Sequence, residues 1–234
     1  MRLPINLRYA LRATARRLGY EIVRRHSDEW LQQIPVETII DVGSNIGQFA
    51  ARARLLYPNS QIYAFEPLAD CFAQLTHRFS GDKKFVGFQT ALGAKEGTST
   101  FHRNDYSPSS SLLEMEHLHE ETFRYTRAHS QVSVPVRRLD AVLPELDLKP
   151  AILLKLDVQG YEDRVLDGAH DLLRQTQVVI SEVSFEALYK HQAQFDDIYQ
   201  RLTAAGFRYH GNWEQLFSPV DGRVLQADAI FLRL

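Results

Sequence analysis

The sequence predicts an α/β fold built on a mostly parallel sheet with helices on both faces. Three observations predict it. From residue 36 onward, short apolar runs of strand length alternate with segments of helical spacing. The first run, "VETIIDVG" (36–43), stops at a glycine turn that opens a helix. After a long interruption the alternation resumes at "AILLKLDVQG" (151–160), again ending in glycine.

Each element follows from its residues. "VETIIDVG" is the first strand and "QFAARARLLY" (48–57) its helix. "SQIYAFEP" (60–67) is the second strand, stopped by Pro67, which has no amide to donate. "ADCFAQLTHRF" (69–79) is again helical, and "KKFVGFQTAL" (84–92) is the third strand, closed by Ala91. Residues 97–135 leave the pattern. There "GTSTFHRND" (97–105) is extended, "YSPSSS" (106–111) is small and polar, and "LLEMEHLHEETFRYTRAH" (112–129) is a charged helical run. "QVSVPVRRLD" (131–140) is extended again. Long excursions from a regular core are where substrate-binding loops sit. "AILLKLDVQG" is then the fourth core strand, "YEDRVLDGAHDLLR" (161–174) its helix and "VVISEVS" (178–184) the fifth strand. "QFDDIYQRLTAAGF" (194–207) is a helix ending near Gly206, and the last segment reads as two strands around an Asp221–Gly222 turn.

With 234 residues the chain is long enough for one full α/β domain, and its 44% apolar and 24% charged content is that of a soluble globular protein. The net charge of −2 gives no overall reason to expect a nucleic-acid partner. A single cysteine, Cys71, excludes an intramolecular disulfide and a multi-cysteine zinc site and fits a reducing compartment. There is no membrane-spanning apolar run and no secretory-leader core, so a cytoplasmic location is expected. The charge is uneven. Residues 1–25 hold seven arginines (Arg2, Arg8, Arg12, Arg16, Arg17, Arg24, Arg25) against Glu21 alone. Residues 1–34 are accordingly expected to form a basic helical segment, and residues 35–234 the α/β domain. Leu7, Leu11 and Leu18 share one helical face beside the arginines. A solvated helix on the domain's edge is one reading; attraction to an anionic lipid surface or a phosphate-bearing substrate is the other.

Two places carry chemistry. In "DVGSNIGQF" (41–49), Gly43 and Gly47 allow a tight turn and close approach of a ligand, and the following helix start offers amide donors. This is not a dinucleotide fingerprint, because Ser44-Asn45-Ile46 separate only two glycines. Asp41 before the turn suggests a ligand with a positive or donor-rich group. Glu66 ends the second strand, where an acid can accept both hydroxyls of a ribose. At the fourth strand, Lys155 and Asp157 have the two-residue spacing that puts both on one sheet face. Gly160 turns the chain into a helix with Glu162 in its first turn, and Glu182 closes the fifth strand. Asp157 and Glu182, at neighbouring strand ends, are predicted to border one pocket.

Asp41, Gly43, Asn45 and Gly47, then Phe65-Glu66-Pro67, look like motifs of S-adenosylmethionine-dependent methyltransferases. More narrowly, the chain resembles the FkbM family, whose motifs run roughly D-x-G-A-N-x-G, F-E-P and K-x-D-x-E-G-x-E. "RRLD" (137–140), "KLDVQGYED" (155–163) and "SEV" (181–183) match in the same order, so the resemblance spans residues 36–205. It implies a Rossmann-like class I methyltransferase fold, with a seven-stranded sheet and the 97–135 insertion between core strands three and four. It implies S-adenosyl-L-methionine as cofactor. Glu66, followed by Pro67, would grip the ribose; the Gly43–Gly47 turn, with Ser44 and Asn45, would cover the methionine portion. Asp41 would face its amino group, Ala91 would lie near the adenine, and Asp157 would border the methyl. Ser44 stands where the family commonly has alanine. Gln159 replaces the usual glutamate and removes a negative charge beside the site. Ser109, Ser110 and Ser111 resemble a serine-rich segment of the family's insertion and, with Glu162, are expected at the acceptor.

The implied reaction is attack of a hydroxyl on a sulfonium methyl, so a base within hydrogen-bond reach is expected. Asp157 and then Glu182 are the candidate bases, with Lys155 pairing with Asp157 or orienting a hydroxyl. The acceptor implied is a sugar, glycolipid, polysaccharide or natural-product hydroxyl. Two other readings compete: a non-catalytic glycan- or membrane-associated binding module on the same scaffold, and a nicotinamide-dependent oxidoreductase, which the missing third glycine disfavours. His117 and His119, with Glu116 and Glu120, mimic a metal site, but a His-x-His spacing on a helix points the rings to different faces. No metal site is expected, although a magnesium ion between Asp157 and Glu182 stays open.

Overall fold

In the computed structural model, which describes residues 5–18, 28–104, 107–116 and 129–233, the chain divides into two compact units, Met1–Ile34 and Pro35–Leu234. The first unit contains α1 (Ile5–Arg17), which places Arg16 and Arg17 in its last turn, where cations suit the helix dipole. Leu7, Leu11 and Leu18 are exposed. Arg2, Glu21, Arg24 and Arg25 lie outside the described residues. No helix among the described residues is long and apolar enough to cross a membrane.

The second unit begins with the alternation that the sequence predicts: β1 (Thr38–Val42), α2 (Gln48–Leu56), β2 (Gln61–Phe65), α3 (Ala69–Arg78) and β3 (Phe85–Phe88). Then come β4 (Ala91–Leu92), β5 (Gly97–Asn104), β6 (His129–Arg137) and the short helix α4 (Leu139–Val142). The remaining elements are β7 (Ile152–Leu156), α5 (Glu162–Asp167), α6 (His170–Gln175), β8 (Thr176–Ser184), α7 (Phe195–Ala204), β9 (Phe207–Phe217) and β10 (Val224–Arg233).

Seven of these strands form one sheet in the order β3-β2-β1-β7-β8-β10-β9. The first five run parallel, and β10 is antiparallel to both β8 and β9. Every residue of β1 ("TIIDV") and β7 ("ILLKL") is buried, which explains their near-continuous apolar character. Asp41 and Lys155 are the charged exceptions, and they are register partners across β1 and β7. Ile40, Val42, Leu154 and Leu156 face a core with Val165, Leu172 and Ile198 from α5, α6 and α7. Each such side chain contributes about 1.5–3 kcal/mol by leaving water. The opposite face carries α3, whose Phe72 and Thr76 pack over Gly87 of β3. From β1 the chain moves outward to β2 and β3, then returns to β7 on the other side of β1. The reversal opens a crevice at the carboxyl ends of β1 and β7, the usual ligand position in such sheets.

Three expected elements differ in extent. The third strand stops at Phe88, not Leu92, because Thr90 turns the chain and donates its hydroxyl to Pro135 O at 3.1 Å. Ala91 therefore does not close the third strand; it opens β4, which runs beside β6. The 97–135 segment contributes β5 and most of β6 to a separate sheet of order β4-β6-β5. Of its expected helical run, residues 117–128 lie outside the described residues, while Met115 bridges to Tyr189 in an extended conformation. The helix expected over 161–174 is two helices. A Cβ at Gly168 would stand 2.2 Å from Gly93 O, so the two backbones touch where the helix breaks. Asp140, of the "RRLD" turn, then accepts the amides of Asp171 (3.0 Å) and Leu172 (3.1 Å) and starts the second helix. The expected helix end at Gly206 is present, with φ of 90°.

Candidate active site

A cavity of about 350 Å³ opens at the switch point between β1 and β7, within the size range of small-molecule sites. Its walls come from the β1 turn, the end of β2, β4, the Ser107–Leu112 segment and the turn after β7.

The β1 turn is built by main-chain crowding. Gly43 has φ of 82°, and a Cβ there would sit 1.9 Å from Asp157 O. A Cβ at Gly47 would sit 2.8 Å from both Leu75 Cδ1 and Phe79 Cε2. The glycines thus leave room first for the β7 turn and for α3, whereas the sequence suggested room for a ligand. Asn45 adopts φ of 47°, a left-handed conformation that asparagine tolerates better than most residues. Its amide donates to Glu66 Oε2 at 2.9 Å, and Glu66 Oε1 accepts the Leu68 amide at 2.8 Å. Glu66 therefore clasps the glycine turn to the end of β2 while lining the cavity beside Pro67 and Ala91. Ser44 donates its hydroxyl to Asp41 O at 2.7 Å.

Asp41 is 1% exposed, and its Oδ2 has no hydrogen-bond partner among the described residues. Burial pushes its pKa to about 7, with Lys155 acting in the opposite direction. Burial likewise pushes Glu66 to about 7 against the two amides it accepts.

At the β7 side, Lys155 is 3% exposed and donates to Asp228 Oδ1 at 2.7 Å and to Asp157 Oδ2 at 3.4 Å. The expected Lys155–Asp157 pair exists, but Asp228 of β10 is the closer partner. Burial alone would lower the Lys155 pKa; Asp228 and Asp157 outweigh it and hold the ammonium above its usual range. Asp157 lies just past β7 on the cavity wall, with 38% of its side chain exposed. Glu182 also lines the cavity, but it stands within β8, opposite Asp228, and does not close the strand. Burial, then the charge of Asp157, raises Glu182 well above the ordinary carboxylate range.

The residues expected at the acceptor divide by position. Ser110 lines the cavity and accepts the Asn104 amide at 3.0 Å. Ser111 is fully buried and donates to Gln159 O at 2.7 Å, and the Ser109 carbonyl lies 3.1 Å from the Tyr189 hydroxyl, whose one hydrogen has a nearer acceptor in Gln159 Oε1 at 2.9 Å. Ser107, which sequence reasoning passed over, meets the Asn45 side-chain amide at 3.1 Å and lines the cavity. Glu162 is expected at the acceptor, yet its 3% exposed carboxylate lies beneath the β7 turn. There it accepts the amides of Val158 (2.9 Å) and Gly160 (3.0 Å). Its place in the fold is to fix that turn. Asp228 was also passed over, although it is the one charge in the apolar run "VLQADAIFL" (224–232) and so carried a visible signal. Gln226 and Tyr189 carried none. Among the described residues no group of three or more histidine, cysteine or acidic side chains is arranged to hold a metal ion. His117, His119 and Glu120 lie outside them.

The sequence matches the methyltransferase FkbM domain over residues 41–209, well over half of the chain and inclusive of every motif above. The chain belongs to the FkbM methyltransferase family. It is 32% identical over 151 residues to Methyltransferase 1 of Beauveria bassiana, covering 57% of this chain and 58% of that one. It is 28% identical over 158 residues to the 31-O-demethyl-FK506 methyltransferase of Streptomyces tacrolimicus, covering 58% and 61%. The chain thus spans about three fifths of these relatives' length. Among solved structures, a Streptococcus mutans protein described as a methyltransferase, in complex with SAH, aligns with 91% of this chain and 99% of its own. Its identity is 11% and its TM-score 0.49.

An FkbM methyltransferase uses S-adenosylmethionine, and the residues present fit it. The unpartnered Asp41 Oδ2 suits a cationic amino group, and Glu66 keeps acceptor capacity beyond its two amide bonds. This sets a pH dependence. Folding raises Asp41 from 3.8 to about 7, so the folded state holds that proton more tightly than the unfolded chain. The resulting stability is present at acid pH and is lost as pH rises through about 7. A cation beside Asp41 favours the ionised form and reverses the sign. Affinity for S-adenosylmethionine is therefore expected to fall about tenfold per pH unit below neutrality, measured by calorimetry. Asp41→Asn should bind more weakly and lose most of that slope; an unchanged slope in this variant sinks the assignment.

Proposed function

We propose that this FkbM methyltransferase transfers a methyl group to a hydroxyl oxygen of a sugar, glycolipid, polysaccharide or natural-product acceptor, with Asp157 as the base. The observation that carries the reading is the placement of Asp157. Of the four acids among the described residues lining the cavity, Asp41 and Glu66 are buried and Glu182 Oε2 already accepts the Gln159 and Gln226 amides, whereas Asp157 presents a 38% exposed side chain to it beside the buried Lys155 ammonium.

S-adenosylmethionine, when bound, supplies an electrophilic methyl group. A hydroxyl is a poor nucleophile, so Asp157 would accept its proton as the methyl–sulfur bond breaks, the new C–O bond forms and S-adenosylhomocysteine leaves. Much of the acceleration comes from the cavity walls, which hold the two reacting groups in near-attack geometry. The ammonium of Lys155 offsets the negative charge of Asp157 and Asp228. The name of the Streptomyces relative specifies the 31-O position of 31-O-demethyl-FK506, which supports an oxygen acceptor here. Ser107 and Ser110 give the cavity hydroxyl groups suited to a polyol.

The test is incubation of the full chain with isotopically labelled S-adenosylmethionine and a panel of saccharides, lipid-linked saccharides, macrolide alcohols and amines. Mass spectrometry of the products is expected to find one added methyl on a hydroxyl. Labelling confined to amines would overturn the oxygen assignment. Cofactor binding with no methylated product across the panel would favour the non-catalytic binding module.

A further inference from the structure

Gln159 is the position where this chain departs from its family's glutamate, and the structure gives that departure a geometry. Gln159 and Gly160 both take left-handed conformations, with φ of 54° and 94°. For glutamine this costs on the order of 1 kcal/mol, so the surroundings must impose it. Glu162 holds the amides on either side of Gln159, and Ser111 holds its carbonyl. The side chain is fixed as well. Its Nε2 donates to Asp157 Oδ1 at 2.8 Å and to Glu182 Oε2 at 2.8 Å, using both hydrogens. Its Oε1 faces the hydroxyl of Tyr189 at 2.9 Å, and Tyr189 is 1% exposed. Turning the amide over would aim its carbonyl at two carboxylates, so only one orientation suits the site.

We propose that Gln159 is a positioning residue that binds Asp157 and Glu182 into one unit, standing where a shared proton or a cation would otherwise sit, and that Tyr189 sets its direction. Two carboxylates that share a site ordinarily raise the proton affinity of one of them. An amide supplies hydrogens to both without titrating, so the arrangement persists when the solution pH changes. Gln226 adds a second amide to Glu182 Oε2 at 2.9 Å. The other charges facing Glu182 are Lys155 and Asp157 from the β7 side, Glu162 from α5 and Asp228 from β10. Asp157 is therefore left with Oδ2, toward Lys155, as the oxygen not engaged by the clamp.

The proposal rests on the reading of this cavity as the reaction centre, and its test is independent of that reading. Carboxyl carbon resonances of ¹³C-glutamate-labelled full-length protein report the Glu182 titration midpoint without any acceptor. In Gln159→Met, which keeps length and removes both donors, the midpoint is expected to rise by about one unit. In Tyr189→Phe it should move the same way by less. An unmoved midpoint in a folded Gln159→Met protein overturns the proposal. Should that variant fail to fold, Tyr189→Phe decides alone, and an unmoved midpoint there overturns it. A rise in the wild-type melting temperature on adding magnesium, reversed by chelator and absent in Glu182→Gln, would overturn it too, because a cation between the acids must displace the amide. Failure of Asp157 as base would show only as undiminished turnover in Asp157→Asn and would leave the Glu182 result standing.

Discussion

Asp157→Asn is expected to lower methyl-transfer turnover by about 10²–10⁴-fold, the usual contribution of a positioned general base. The change keeps side-chain size and keeps an oxygen to accept the Gln159 amide, now 2.8 Å away. Lys155 retains its shorter bond to Asp228 at 2.7 Å, so no buried charge is stranded. The melting temperature should therefore stay close to that of the wild type, and the loss should appear in kcat. The measurement is the initial rate of S-adenosylhomocysteine formation with an unmethylated acceptor that the wild type methylates, beside a thermal melt. Undiminished turnover in a normally folded variant would remove Asp157 from the role of base.

Gly43→Ala is expected to destabilise the domain by about 3–5 kcal/mol, among the larger effects a single methyl can have. The added carbon would sit 1.9 Å from the carbonyl oxygen of Asp157 and 2.8 Å from its carbonyl carbon, and neither is a side chain that can swing aside. The φ of 82° adds the ordinary cost of a left-handed residue with a Cβ. Gly81→Ala is the control: a Cβ there meets nothing within 4 Å, and its stability should stay within about 0.5 kcal/mol of wild type. Chemical denaturation of the two variants decides the matter. Equal stability would show that the β1 and β7 turns do not crowd each other in solution.

The parts of the site legible in the sequence are those in which neighbouring residues determine the outcome. β1 with its glycine turn, the Glu66 strand end and the apolar β7 run are local patterns, and each was read at its place. What escaped was fixed by residues far apart in the chain. The split between α5 and α6 depends on the backbone of Gly93 passing under Gly168. The third strand ends early because Thr90 reaches Pro135. Lys155 was paired by sequence with Asp157, two residues away, when its nearer partner, Asp228, is supplied by β10, far along the chain. Ser109, Ser110 and Ser111 were legible as a group, but only the fold puts Ser110 on the cavity wall, adds Ser107 there, and leaves Ser109 and Ser111 behind it. Gln159 read as a lost charge; its two-sided amide needed Glu182 and Tyr189 in place before it had a meaning.

The contact of Gly43 with the main chain at Asp157 bears on how such an enzyme changes its acceptor. The β1 turn and the β7 turn, which form two walls of the cavity, meet through main-chain atoms, with the Asp157 amide bonded to Val42 O at 3.0 Å. Side chains then fix each turn from its own side, Glu66 the first and Glu162 the second. Selection, natural or in the laboratory, is thus freer to vary Pro108 and Leu112 on the cavity wall than Gly43, Ser111 or Glu162, which hold the two turns together.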